Sequence, residues 1–497
     1  MTSSINKTDN TNKVNPLDID DISIKLPIDQ EIQYDEAKDR KLLRKIDLNL
    51  LPIMGLLYCF QFMDKSTPAV ASVMGFRQDL KMTGDMYSWV GSSFYLGYLV
   101  FEFPAVRLLQ RFPVSKTVSI FIVLWGAILA LHAVPQYAGL ITLRVILGML
   151  ESAITPAFVI ITGQYYRKQE MFVRTAVWFA SNGIGIILGS GIAYALNENI
   201  GKYTIEAWKL VFIITGVLTV FLGIVCYFHV PDTPNGAYWL TEEDKLRVVE
   251  RIRVNQQGFG NKRFKWYQFR EALMDLRTWL FFVFSICVNV PNGGLTNFST
   301  ILLTETMHFT PARALIMQMP QGAVLFCGCI GLALCSKFIK SKLFIGCFGT
   351  ALTVMACCML AFAKPVPVRY AGLTMQTFLP IGTICLLSSI GSNVAGHTKK
   401  VTVNAIFLIG YCVGNLIGPQ TFIEHEAPDF TTAVVCMVVF MVLALICLLA
   451  IWWSYYLENK KRDAQMESEE TKKFMEIENH EFADLTDKEN PLFRYVL

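Results

Sequence analysis

Residues 432–456, TAVVCMVVFMVLALICLLAIWWSYY, run for 25 positions without a charged side chain. At 1.5 Å rise per residue, a helix of that length crosses the ~30 Å hydrocarbon core of a bilayer. Such a helix has no polar face to offer water, so it reads as a membrane span. Eleven further apolar runs lie upstream, near 50–71, 86–103, 117–134, 138–162, 176–196 and 208–230, then 279–303, 318–336, 343–362, 370–390 and 401–419. The pattern predicts an all-α integral membrane chain of twelve transmembrane helices in two six-helix halves. The expected organisation is an N-terminal tail over 1–47, a first half over 48–230, a central loop over 231–278, a second half over 279–456 and a C-terminal tail over 457–497.

Composition supports this reading. Hydrophobic residues make up 53% and charged residues only 17%, and the mean hydropathy is +0.41, too apolar for a soluble surface. A net charge of +4 is too small to suggest a nucleic-acid partner. The 13 cysteines lie almost wholly inside apolar runs, where thiols act as small hydrophobes. None shows metal-ligand spacing with supporting histidine.

Lys and Arg mark the orientation. Clusters at Lys38–Lys45, Arg107–Lys116, Arg167–Arg174, 245–277, Lys337–Lys342, Lys399–Lys400 and Lys460–Arg462 all fall on one side. The asymmetry is about fourfold, and the positive-inside rule then places both termini in the cytoplasm. The stretch up to about Lys45 lacks a secretory signal, so insertion is expected to rely on the first span. Thr241-Glu-Glu-Asp244 reads as a capping box, with Leu246, Val249 and Ile252 on one face of a short helix along the membrane surface. The acidic C-terminal tail, with Glu467, Glu469 and Glu470, reads as disordered with some helix.

Ionisable residues inside spans are costly and usually functional. The first span carries Asp64 and Lys65; the fourth carries Arg144 and Glu151. The last two are seven residues apart, two turns of helix, so they share a face about 10 Å apart along the axis. Arg144 is a planar cation suited to a carboxylate or similar anion, and Lys65 supplies a second positive charge. Asp64 and Glu151 can exchange protons, because burial raises a carboxyl pKa and a nearby cation lowers it. The bland alternative is a structural ion pair between Asp64 and Arg144, which leaves Glu151 unexplained. In the seventh span, Asn292-Gly293-Gly294 after Pro291 predicts a break that exposes backbone to a cavity, making Asn292 a candidate gate residue.

Five stretches resemble the anion:cation symporter family of the major facilitator superfamily, and within it the fungal allantoate permease group. They are MDKSTPAVASVMG (63–75), RVILGMLESAITPAF (144–158), PDTPNGAYWLTEED (231–244), NVPNGGLTNFS (289–299) and SNVAGHTKKVTVNAIFLIGYCVGNLIGPQTF (392–422). The resemblance spans residues 40–455 and implies two repeats around a central site. It implies that Arg144 contacts the substrate anion, Glu151 carries the coupling proton, and Asp64 is a second proton group partnered to Arg144. Asn415 would line the second half of the site. Many members have Asp-Arg where this chain has Asp64-Lys65, so Lys65 keeps the charge but not the bidentate fork. The segment PAVRLLQRFPVSK (104–116) stands where the superfamily has its cytoplasmic gating motif; it supplies Arg107 and Arg111 without the usual aspartate.

The expected function is proton-coupled import of a small carboxylate, such as allantoate, ureidosuccinate or a vitamin-type acid, by a monomer in the plasma membrane. Its partners are that anion and the lipid bilayer; no cofactor is expected beyond the coupling proton. A facilitative exchanger and a non-transporting nutrient sensor are the alternatives. No nucleophile elbow or His-containing metal motif points to an enzyme.

Overall fold

The computed structural model describes residues 36–134, 136–253, 264–335, 338–339, 341–465 and 485–496. Among these the regular structure is entirely helical. α1 (Glu36–Ser72) is followed by a single turn, α2 (Phe76–Asp79), then α3 (Met86–Arg111) and α4 (Val114–Leu131). The fourth crossing is built from α5 (Tyr137–Glu151) and α6 (Ile154–Tyr165); α7 (Lys168–Asn197) and α8 (Ala207–His229) complete the first half. The connection holds α9 (Glu242–Arg253) and α10 (Trp266–Met274). The second half contains α11 (Leu276–Ile301), continued by a π-turn over Leu302–Thr306, then α12 (Pro311–Cys335) and α13 (Lys342–Phe362). α14 (Val366–Met375) and α15 (Pro380–Asn393) together make the tenth crossing, before α16 (His397–Gln420) and α17 (Thr431–Gln465).

Among the described residues eleven stretches are long and apolar enough to cross a membrane. The twelfth crossing, α3, has the length but is diluted by Tyr87, Ser88, Ser92, Ser93, Tyr95, Tyr98 and Glu102, all buried. Those polar groups face neighbouring helices instead of lipid, which is why the apolar signal weakens there. Within the first half, α3 and α5 touch through glycine. A Cβ on Gly97 would stand 1.9 Å from the Val145 carbonyl oxygen, and one on Gly148 would stand 1.9 Å from that of Phe94. Gly148→Ala is therefore expected to force the helices apart and lower the midpoint of thermal unfolding, a cost of about 1–3 kcal/mol. Gly331→Ala, at a position with open space around it, should leave the midpoint unchanged.

The expected helix break is corrected. The seventh span is not interrupted at Pro291–Gly294; α11 is continuous through it. Its glycines serve contact with α16, for a Cβ on Gly293 would lie 2.6 Å from the Asn415 carbonyl oxygen. The break falls in the fourth span instead, at Ser152–Ala153, directly after Glu151. Pro156 explains the position, since a proline has no N–H to give the carbonyl four residues earlier, which is that of Ser152. Pro380 opens α15 in the corresponding crossing of the second half.

The first helix starts at Glu36, inside the stretch expected to be tail, and the last runs on to Gln465. Residues 1–35 and the acidic Glu467, Glu469 and Glu470 lie outside the described residues. The capping box forms: Asp244 N–H donates to Thr241 Oγ1 at 3.2 Å, and Thr241 N–H to Asp244 Oδ2 at 3.3 Å. The buried face of α9 is set by Val248 and Arg251, while Leu246 is exposed. Charge decides this, because Arg251 reaches Asp39 at 2.8 Å and Glu170 at 2.5 Å, both on the first half. α10 is held to the second half in the same way, with Glu271 2.9 Å from the buried Lys399.

Candidate substrate site

The four ionisable residues of the first half converge. α1 places Asp64 and Lys65 toward α5, whose Arg144 and Glu151 are both buried. Lys65 Nζ lies 3.3 Å from Glu151 Oε2 and above the rings of Phe94, at 5.5 Å, and Tyr98, at 5.9 Å. Thr219 on α8 donates to Asp64 Oδ2 at 3.1 Å. Asp64, Arg144 and Glu151 are close enough to act on one another electrostatically.

The pairing differs from the one that the resemblance implies. Among the described residues Arg144 has no carboxylate within 4.0 Å, and neither its Nε nor its Nη2 finds a hydrogen-bond partner. Glu151 takes Lys65 as its partner, and Asp64 takes a hydroxyl. The physical reason is the facing of α1: neighbouring positions lie about 100° apart around a helix, so with Lys65 turned to Glu151 of α5, Asp64 turns to the Thr219 hydroxyl of α8.

The second half contributes amides. Asn292 Nδ2 donates to Asn415 Oδ1 at 2.9 Å, and Asn415 Nδ2 to Asn289 Oδ1 at 3.1 Å, joining α11 to α16. One turn before Asn415, Tyr411 places its ring 6.0 Å from Tyr95 and 6.1 Å from Tyr98 of α3. These tyrosines tie the amide cluster to the charged one. Arg107 and Arg111 are not brought to the site. Both are exposed at the end of α3; Arg107 Nη1 bonds Gln110 at 3.3 Å and Arg111 lies over Phe112.

Several contributors were not singled out from the sequence. Tyr95 and Tyr98 are three apart on one face of α3, a spacing that points to a shared surface. Glu102 on the same helix is buried and its Oε1 lacks a hydrogen bond; it stands near the end of the expected span 86–103, where a charge reads as interfacial. No three His, Cys, Asp or Glu side chains among the described residues are grouped to hold a metal ion.

The halves meet tightly at the end of the bundle remote from the termini. Arg77 reaches Glu305 at 2.6 Å, Tyr87 donates to the Asn297 carbonyl at 2.8 Å, and Ser92 donates to the Leu416 carbonyl at 2.8 Å.

Residues 54–419 match the family model described as Major Facilitator Superfamily. The allantoate permease of Saccharomyces cerevisiae is 44% identical over 481 residues, covering 94% of this chain and 88% of that protein. An uncharacterized transporter of Schizosaccharomyces pombe is 47% identical over 470 residues, covering 94% and 92%. A solved proton:xylose symporter aligns with a TM-score of 0.59 at 14% identity, over 81% of this chain and 95% of its own. Its likeness is one of fold. A match across the span from α1 to α16, together with relatives aligned over nearly their whole length, means that this multi-pass membrane protein belongs to the major facilitator superfamily of transporters.

Proposed function

We propose that the chain imports a small organic anion with protons across the plasma membrane, with both termini cytoplasmic, by rocking its two halves about the central site. The observation that carries this reading is Arg144, fully buried with two N–H positions unbonded. A buried cation without a partner is strongly unfavourable, so its environment is complete only when an anion is bound. A carboxylate suits the guanidinium because it can accept two parallel N–H bonds. The relative named for allantoate, itself a carboxylate, makes ureido acids the first compounds to test.

Glu151 supplies the coupling. Protonating it dissolves its pair with Lys65 and leaves Lys65 available to the same anion as Arg144. The proton and the anion thus favour each other's binding, which is the linkage a symporter needs. With both carboxylates ionised the four charges sum to zero, so each entering negative charge is matched by one proton. The state described, sealed at Arg77–Glu305, is then shut on the outside.

The test is uptake of labelled allantoate, ureidosuccinate, nicotinate and a sulfonate control by cells expressing the chain, across external pH and with a protonophore. Acid-stimulated uptake of a carboxylate, collapsed by the protonophore, is expected. Uptake indifferent to the proton gradient would point to exchange. No uptake by correctly placed protein would point to a sensor.

A further inference from the structure

The last described residues, 485–496, are bound to the second half by a site built for them. Lys399, 1% exposed in the first turn of α16, donates to Asp487 Oδ1 at 2.7 Å, Glu271 Oε1 at 2.9 Å and Asp275 Oδ2 at 3.2 Å. Arg462 of α17 donates Nη2 to the Asp487 carbonyl at 2.6 Å and Nη1 to that of Asn490 at 3.2 Å. Two asparagines then grip the backbone as a strand would. Asn459 exchanges a pair of bonds with Tyr495, at 2.9 and 3.0 Å, and Asn393 a pair with Val496, both 2.8 Å. The Tyr495 ring stacks on Tyr455 at 4.9 Å, and its hydroxyl donates to Asp487 Oδ2 at 2.7 Å.

One residue in this site has the chemistry of a switch. Thr486 is 0% exposed. Its hydroxyl donates to Glu271 Oε2 at 3.0 Å and accepts the Glu489 N–H at 3.2 Å. Around it stand the carboxylates of Glu271, Asp275, Asp487 and Glu489, with Lys399 already shared among three of them. Lys488 reaches Asp275, and Arg462 is committed to carbonyl oxygens and to Glu458, 3.5 Å away. Asp275 itself is held below the usual carboxylate range: burial pushes it up, and Lys399, Lys488 and Arg277 outweigh that. The remaining cation, Arg277, stands 3.9 Å from Asp487 Oδ2 with its guanidinium over the Tyr455 and Tyr495 rings, so four cations already face four acids, and a phosphate would add about two negative charges to that balance.

We propose that residues 485–496 are a releasable strap and that phosphorylation of Thr486 releases it. The transfer forms an Oγ1–P bond and breaks the bond between the terminal phosphorus of a nucleoside triphosphate and its bridging oxygen. The nucleoside diphosphate leaves, and the hydroxyl proton passes to the kinase. Because the docked hydroxyl is buried, transfer takes place on the undocked population. The modified strap carries about two negative charges at Thr486 and cannot return against four carboxylates. Release frees the inner ends of α15, α16 and α17 from a common tie and leaves Lys399 with Glu271 and Asp275.

Hydrogen–deuterium exchange of the purified full chain tests this without reference to transport. In the unmodified protein the amides of Tyr495 and Val496 and the first turn of α16 exchange slowly. Thr486→Glu should speed them by about tenfold or more, whereas Thr486→Val, which keeps the volume and adds no charge, should stay near wild type. Equal exchange in Thr486→Glu and wild type overturns the proposal, as does Thr486→Val behaving like Thr486→Glu. Should Thr486→Glu not fold, Tyr495→Ala answers instead, since it loosens the strap without touching the acceptor. Phosphate at Thr486 in cells should rise in Tyr495→Ala above wild type; an unmodified Thr486 in both overturns the idea.

Discussion

Glu151→Gln is expected to abolish accumulation of the anion above its external concentration while leaving exchange of internal for external anion intact. Gln has the size of Glu and stays neutral, so it holds the site in its protonated form. Lys65, 3.3 Å from the carboxylate in the unmodified protein, becomes a lone cation, and the apparent affinity for an anion stays level or improves. What is lost is the proton that travels with the charge. At 100 mV a monovalent anion entering alone works against ~2.3 kcal/mol. The steady-state ratio of internal to external anion should then fall from above one to about one-fiftieth. Exchange moves no net charge and escapes this limit. Efflux-driven counterflow in vesicles, compared with pH-driven uptake in the same preparation, reads both quantities. If Glu102→Gln uncouples and Glu151→Gln does not, the proton resides on α3 and the assignment fails.

Arg144 should produce the larger defect in binding. Arg144→Lys keeps the charge on a narrower head and removes the planar fork. Losing one charged hydrogen bond to a carboxylate costs about 1.5–3 kcal/mol, or roughly ten- to a hundred-fold in KM. Arg144→Ala removes the guanidinium altogether, and uptake should fall below detection even where the protein reaches the membrane. Because Arg144 has no protein carboxylate to lose, its removal strands no salt-bridge partner, and Arg144→Ala should unfold close to the wild-type temperature. A marked loss of stability in Arg144→Ala would instead identify a structural cation. The discriminating pair of measurements is KM for the transported carboxylate and the thermal midpoint.

The reach of sequence reasoning here follows the physics of each feature. Spans were legible because a bilayer demands long apolar helices, and α17 satisfies that demand without exception. The charges of the site were legible because an ionisable group within a span needs a reason to be there. Which charge pairs with which was not, since Lys65 and Arg144 are alike in sign and only the helix facing sets their distances. Pro291 and Pro156 show the same limit. Both remove a backbone donor, yet α11 carries its proline within a continuous helix packed closely on α16, whereas the fourth crossing parts at Ser152–Ala153. The docking of residues 485–496 was hidden for another reason. Its anchors, Asn393, Lys399, Asn459 and Arg462, come from the end of α15, the start of α16 and the end of α17, and polar composition alone reads as a solvated tail.

The two helices of the connection have a consequence for how this chain can be made. α9 is fastened to the first half through Arg251, and α10 to the second through Glu271 and Lys399. Each half therefore carries its own share of the connection, with α9 ending at Arg253 and α10 beginning at Trp266. A gene divided between those two codons should yield two polypeptides that find each other in the same membrane, joined by the α3–α16 and α7–α12 faces.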